Sequence, residues 1–166
     1  MDHYYEEVRS FKTSLLFLFL SAVFSTFFIK RVLTLGYREN IAFSTVLLFF
    51  SIFFGLYVLN YWTLKIIITD KKIQLNFGLI RWRSDLSNVK AVEMDDSPPV
   101  IKYGGAGVHF AYVRGMYRAF FNFLEFPRIL ITYQEKQGLV QGLVFTTRNP
   151  EKVIKIIKGR MENNEN

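Results

Sequence analysis

Two long apolar runs dominate the pattern of hydrophobic and polar positions in the amino-terminal part of the chain. One covers residues 13–29, and the other, residues 41–59, has nineteen residues without a charge. A helix of that length extends about 28 Å, close to the roughly 30 Å hydrocarbon thickness of a bilayer. The pattern therefore predicts a transmembrane helical hairpin over residues 13–64, with spans at 13–29 and 41–62 and a turn at 31–40.

Each run has an alternative interpretation. The first run resembles a signal peptide in position, but Lys30 and Arg31 follow it where a signal peptide has a small-residue cleavage site. The second run has phenylalanine residues around its whole circumference, whereas a helix in a soluble core presents a polar stripe to water. Both runs are therefore predicted to cross the membrane.

Small residues recur at helical spacing in both runs. Because no hydrophobic force pairs helices in lipid, their close approach depends on such residues. We expect the two helices to meet at Ser21, Ser25, Ser44, Ser51 and Gly55. Neither predicted span contains an ionisable residue, so a plain anchor is favoured over a conducting or transporting role.

From Lys65 onward the apolar residues alternate with polar ones, which is the period of a β-strand. Seven strands are predicted, at 65–69, 73–77, 80–83, 89–94, 119–124, 128–133 and 139–146. Residues 95–118 interrupt them as a long loop that contains two adjacent prolines and a glycine cluster. Asn149, Pro150 and Glu151 form a helix-start signal before an amphipathic segment that closes the domain.

The change of period near Lys65 sets the predicted domain boundaries. Residues 1–12 are a short lead-in, amphipathic or disordered, and residues 13–64 are the hairpin. A soluble domain covers residues 65–160, and residues 161–166 are a flexible tail.

The charge of the chain is concentrated in the soluble part. The net charge is +7, and the part from Lys65 onward contains 16 Lys/Arg and 10 Asp/Glu. Basic residues beside a bilayer attract anionic headgroups. The membrane-proximal basic set is Lys65, Lys71, Lys72, Arg81 and Arg83.

The same cations predict the orientation. Arg9, Lys12, Lys65, Lys71 and Lys72 flank the two ends of the hairpin, against Lys30, Arg31 and Arg38 at its turn. Cytoplasmic loops carry an excess of Lys and Arg. The protein is thus expected in the cell membrane with two spans, and with both termini and the soluble domain in the cytoplasm.

The long loop contains the candidate recognition residues, which bind either a partner or a headgroup. They are Lys102, Gly104, Gly105, Gly107, His109, Arg114 and Arg118. The glycines favour a tight bend over a phosphate loop, because neither Lys-Ser nor Lys-Thr follows them. Glu93, Asp95 and Asp96 are interpreted as a solvated strand edge rather than a cation or acid–base site.

Several classes of site are not expected. Zero cysteines exclude disulfides and thiolate metal sites, and the two histidines lie in different regions. The sequence offers no convincing pair of a nucleophile and a general base, which a catalytic site would need. The sequence therefore predicts no enzyme activity, no metal and no cofactor, and a nucleic-acid partner is not expected.

Four segments resemble those of bacterial and archaeal membrane proteins with a pleckstrin-homology-like (PH-like) domain. The segments are 68–77, 85–93, 103–108 and 148–151. The chain departs from the family pattern at Ala106, where an aromatic residue is common, and at His109, where arginine is common. The resemblance implies an α+β membrane protein, in which the hairpin precedes an open β-barrel of about seven antiparallel strands with a C-terminal helix.

Together these features lead to three functional hypotheses. The first is a membrane-anchored, non-enzymatic interaction or scaffold module that binds a protein partner at the cytoplasmic face. The alternative is a module that binds anionic lipid headgroups. A small subunit of a membrane transport complex is the least favoured of the three.

Overall fold

A computed structural model describes residues 3–36, 40–96 and 105–165, without the side chains of residues 13 and 163–165. The chain forms two compact units, Phe11–Trp62 and the combination of Met1–Ser10 with Thr63–Asn166. The prediction of an α+β chain, with two helices able to span a membrane, a β-sheet region and a C-terminal helix, is confirmed at this level.

The first unit is the helical hairpin, made of α1 (Phe11–Leu35) and α2 (Ile41–Asn60). Both helices are long and apolar enough to cross a membrane. α1 extends past the predicted end of its span, so that it includes Lys30 and Arg31. It stops at Gly36, whose φ of 78° is the left-handed conformation that ends many helices. The Asn40 side chain accepts a hydrogen bond from the Phe43 amide and caps the start of α2.

The second unit begins with a four-stranded antiparallel sheet in the order β1-β2-β3-β4. Its strands are β1 (Tyr4–Arg9), β2 (Thr63–Ile68), β3 (Lys72–Phe77) and β4 (Ile80–Asp85). β1 pairs with β2 along its whole length, from Tyr4 opposite Ile68 to Arg9 opposite Thr63. Most of the segment expected to be a lead-in is therefore a strand of the sheet. Along the chain, the hairpin follows one strand of a pair and precedes the other.

The other sheet has five strands in the order β5-β8-β9-β7-β6. They are β5 (Val89–Met94), β6 (Gly107–Val113), β7 (Met116–Asn122), β8 (Arg128–Gln137) and β9 (Val140–Thr146). β7 and β9 run parallel, because the β8–β9 hairpin inserts between β5 and β7. The prediction of about seven strands, all antiparallel, is wrong on both points, since the described residues form nine strands with one parallel pair.

The core lies between the two sheets and under α3 (Pro150–Glu165). β2 and β3 contribute alternate aliphatic and aromatic side chains with no exposed surface, among them Leu75 and Phe77. The Phe77 ring contacts the ring of Phe123, the residue that follows β7, with centroids 4.9 Å apart. α3 buries Val153 and Ile157 against the sheet side. The described strands form two separate sheets and no closed barrel.

Candidate functional site

The predicted recognition residues do not form one loop. Lys102 and Gly104 lie outside the described residues. Gly105 and Gly107 have φ angles of 83° and 105°, which a glycine adopts without strain, and they lead into β6. The His109 ring stacks on the Phe120 ring of β7 at 4.8 Å, so His109 packs against the neighbouring strand.

Arg114 and Arg118 occupy different environments. Arg114 lies in the exposed turn between β6 and β7, where its guanidinium is 2.8 Å from the Asp96 carboxylate. That hydrogen bond lowers the pKa of Asp96. Arg118 lies within β7, and its side chain is only 3% exposed. The expectation that both arginines lie on an exposed loop is therefore wrong for Arg118.

Arg118 belongs to a buried ionic cluster with Asp95 and Arg128. The Asp95 carboxylate has no exposed surface and lies 3.4 Å from the Arg118 guanidinium and 3.2 Å from that of Arg128. Burial lowers the pKa of Arg118, and the Asp95 charge opposes that shift. Two cations thus compensate one buried carboxylate, as a buried charge requires. The interpretation of a solvated edge is therefore wrong for Asp95, whereas Asp96 is 79% exposed beside Arg114.

An exposed aromatic patch lies where β6 and β7 pair. It consists of Phe110, Tyr112 and Tyr117. Phe110 is 50% exposed and Tyr112 is 68% exposed. The rings of Phe110 and Tyr117 stack with centroids 6.1 Å apart, and Tyr112 is directly opposite Tyr117 in the strand register. Among the described strands β6 pairs only with β7, so the patch lies at a sheet edge.

The aromatic patch packs on the ring of Trp82. The Trp82 ring lies 6.4 Å from Phe110 and 6.0 Å from the buried Phe121. The Trp82 indole nitrogen donates a hydrogen bond to the Tyr133 hydroxyl over 3.1 Å. Burial is the main cause that raises the pKa of Tyr133. Trp82 lies in β4 and contacts side chains of β7 and β8. Phe110 therefore packs on a ring whose position is set by three strands.

The predicted basic residues come together on the outward face of the first sheet. This basic face consists of Arg9, Lys65, Lys72, Arg81 and Arg83. Lys65 lies opposite Asn76, which in turn lies opposite Arg81, so these side chains share one face. The adjacent residues Leu64 and Leu75 are buried on the other face. Glu7 and Asp85 share the face as ion-pair partners of Arg9 and Lys72. Lys71 lies apart, in the turn between β2 and β3.

Glu6 is a buried charged residue that the sequence pattern did not reveal. It lies in β1 and is only 8% exposed. Its carboxylate accepts hydrogen bonds from the Thr147 hydroxyl at 2.6 Å, the Arg148 amide at 2.7 Å and the Tyr4 hydroxyl at 2.8 Å. Burial and the adjacent carboxylate raise the pKa of Tyr4. Glu6 thereby joins the first strand of the chain to the junction between β9 and α3.

The small residues of the hairpin lie at the contact between α1 and α2. The Ser21 hydroxyl donates to the Ser51 carbonyl at 2.9 Å, and the Ser25 and Ser51 hydroxyls are 2.5 Å apart. A Cβ at Gly55 would come within 3.5 Å of the Ser21 hydroxyl, so a small residue there permits the close approach. Ser44 is fully buried and accepts a hydrogen bond from Arg31.

Comparison with protein-family models, with curated proteins and with solved structures finds no match to this chain. Within the described residues, the aromatic patch and the basic face are two surfaces of the second unit that concentrate one kind of side chain. Aromatic side chains are enriched at protein interfaces, and clustered cations attract anionic surfaces.

Proposed function

We propose that this protein is a membrane-anchored, non-enzymatic interaction module whose aromatic patch binds a protein partner at the cytoplasmic membrane face. The helical hairpin is the anchor, and the β-sheet unit presents the binding surface. The observation that carries the proposal is the exposure of Phe110 and Tyr112 on the edge strand β6, beside the partly exposed Tyr117 of β7. Tyrosine and tryptophan are the residues most often found at interface hot spots.

Two physical effects favour a protein as the occupant of this patch. Burying one large apolar side chain contributes about 1.5–3 kcal/mol, so two half-exposed rings supply a useful part of an interface. An edge strand also offers backbone groups to which a partner strand can pair. The support from Trp82 reduces the ordering that binding would require, because Phe110 is already packed on it.

The sheet pairing supports a hairpin anchor with both ends on one side of the membrane. β1 ends at Arg9 just before α1, and β2 starts at Thr63 just after α2. These strands pair in one sheet, and an open sheet does not cross a bilayer because its edge groups would be unsatisfied in lipid. With two helices between the strands, the sheet and both hairpin ends share one compartment. The excess of basic residues at these ends favours the cytoplasm.

Site-specific photocrosslinking in membranes tests the proposal. A photoreactive phenylalanine analogue at Tyr112 should capture a discrete partner, and the double variant Phe110→Ser, Tyr117→Ser should abolish the capture while the protein stays folded. The control is Leu139→Ser, which removes an even more exposed apolar side chain, 78% against 50% for Phe110, from the β8–β9 turn. Unchanged capture in the folded double variant would place the binding surface elsewhere.

The basic face supports a second candidate function, the binding of anionic lipid headgroups. Five basic side chains and two carboxylates lie on this face, and each cation near an anionic leaflet contributes about 1 kcal/mol. Charge-driven binding weakens as salt shortens the Debye length to about 8 Å near physiological ionic strength. Arg81→Gln with Arg83→Gln should then remove salt-sensitive attraction to phosphatidylserine vesicles. Attraction that persists in high salt would exclude this mode.

We also propose that the second unit is a variant of the PH-like fold. An antiparallel four-stranded sheet, a further sheet and a C-terminal helix support the proposal. The parallel β7–β9 pair and the position of β1 ahead of the hairpin are departures from the expected pattern. An experimental structure that superposes on PH-like domains over both sheets is the expected result. Superposition of only one sheet would refute it.

A further inference from the structure

A groove of about 480 Å³ lies within the hairpin, between the last turns of α1 and the first turns of α2. Its apolar walls are formed by Phe27, Leu35, Phe43 and Leu47. Lys30 and Arg31 lie along its rim. The groove therefore combines an apolar channel with two adjacent positive charges.

The contacts of Arg31 hold its guanidinium at this rim. Its Nε donates to the hydroxyl of the buried Ser44 over 3.3 Å, and its guanidinium carbon lies 5.1 Å from the centre of the Phe43 ring. Lys30 precedes Arg31 and is exposed. In a membrane, both residues fall at the end of the apolar stretch, where long cationic side chains reach toward the headgroups.

We propose that this groove binds an anionic phospholipid, with the phosphate at Lys30 and Arg31 and an acyl chain against Phe27, Leu35 and Leu47. The inference rests on the membrane anchoring in the proposed function and adds a ligand site to the anchor itself. The ammonium group of Lys30 and the guanidinium group of Arg31 are both donors of charge-assisted hydrogen bonds, and the planar guanidinium matches the oxygens of a phosphate. Two cations favour phosphatidylglycerol over phosphatidylcholine, because the choline headgroup neutralises its own phosphate.

Native mass spectrometry of the full chain tests this site. The protein is extracted from membranes and exchanged into nanodiscs that contain equal amounts of phosphatidylglycerol and phosphatidylcholine with the same acyl chains. Phosphatidylglycerol should be retained preferentially. Lys30→Gln should lower the retention ratio by about tenfold, the size expected when a charge-assisted contact is lost. Thr34 also lines the groove, and Thr34→Trp, which fills it without changing its charge, should lower the ratio similarly.

Lys12→Gln is the matched control, because it removes the same charge from the other end of α1. It should leave the ratio unchanged. Equal losses for Lys12→Gln and Lys30→Gln would overturn the site and indicate a general attraction of cations. Arg31→Gln is measured together with helix content, since it also removes the bond to Ser44. If Arg31 had only a structural role, Arg31→Gln would change the helix content but not the ratio of phosphatidylglycerol to phosphatidylcholine.

The membrane fraction separates the two proposals. If the chain is found in membranes but retains both lipids equally, the lipid site is wrong and the anchor stands. If the chain is not found in membranes, the anchor is wrong, and the lipid site is overturned with it.

Discussion

Arg118 and Arg114 show how strongly the environment of a residue decides its role. Both are basic, both follow β6, and both have an aspartate partner. Arg118 is buried beside Asp95, whereas Arg114 is exposed beside Asp96. An exposed ion pair contributes little, while removal of one partner from a buried pair leaves an uncompensated charge in the interior. The two arginines are therefore expected to respond differently to substitution.

Arg118→Met should lower the free energy of unfolding by about 2–3 kcal/mol. This is less than the 3–5 kcal/mol typical of a broken buried pair, because Arg128 remains beside Asp95. Arg114→Met should leave the melting temperature nearly unchanged. Thermal unfolding of both variants, followed by circular dichroism, makes the comparison. Equal stability of the two variants would contradict the assignment of Arg118 to a buried cluster.

Glu6→Gln should destabilise the protein by about 1.5–3 kcal/mol, since Glu6 accepts hydrogen bonds from Thr147, Arg148 and Tyr4. The control is Glu7→Gln on the outward face of the same strand, where little change is expected. Chemical denaturation measures both variants. If Glu6→Gln is as stable as Glu7→Gln, then the hydrogen bonds of the Glu6 carboxylate do not stabilise the attachment of β1.

At the scale of elements, the pairing of β1 with β2 has the largest consequence. Leu64, Ile66 and Ile68 of β2 are fully buried, and β1 covers the edge of that strand with Val8 facing the same side. A soluble fragment that starts after the hairpin lacks this strand and the Glu6 contacts.

Replacement of residues 11–62 by a short glycine-containing turn should therefore give a folded, water-soluble domain, because Arg9 and Thr63 are already opposite each other in the ladder. The matched fragment, residues 63–166, should have a clearly lower melting temperature or should aggregate. Circular dichroism and size-exclusion chromatography measure both proteins. A fragment as stable as the turn variant would show that β1 adds nothing to the fold.

For the whole molecule, the proposed membrane anchor and the pairing of β1 with β2 predict a shared compartment for both ends of the hairpin. The chain contains no cysteine, so single-cysteine variants label cleanly. Leu79, which is 94% exposed in the turn between β3 and β4, reports on the sheet unit. Glu39, in the sequence between α1 and α2, reports on the other end of the hairpin.

With a thiol reagent that does not cross membranes, Glu39→Cys should label in intact cells, and Leu79→Cys should label only after permeabilisation. The reason is the excess of basic residues at the ends of the hairpin. The opposite pattern would reverse the orientation and place the sheets outside. Labelling of both positions from one side would mean that the hairpin does not cross the membrane.

The local sequence by itself determined α1, α2, α3 and the strands β2 and β3. Their apolar residues recur with periods of 3.6 or 2, which neighbouring residues establish without help from distant ones. It also identified Lys65, Lys72, Arg81 and Arg83 as a basic set from their closeness to the hairpin in the sequence, but it grouped them with Lys71, which lies in a turn, and left out Arg9. The serines and Gly55 that lie between α1 and α2 were found in the same way.

Only the tertiary structure decided that β1 joins β2 across the hairpin, that β7 and β9 run parallel, and that β6 is an edge strand. Pairing between distant segments depends on which strands meet in the folded chain, and the glycines before β6 concealed its pattern. The same contacts buried Arg118 and left Tyr112 exposed. Burial is a property of the assembled layers, so one strand's composition does not reveal which of its faces another layer covers.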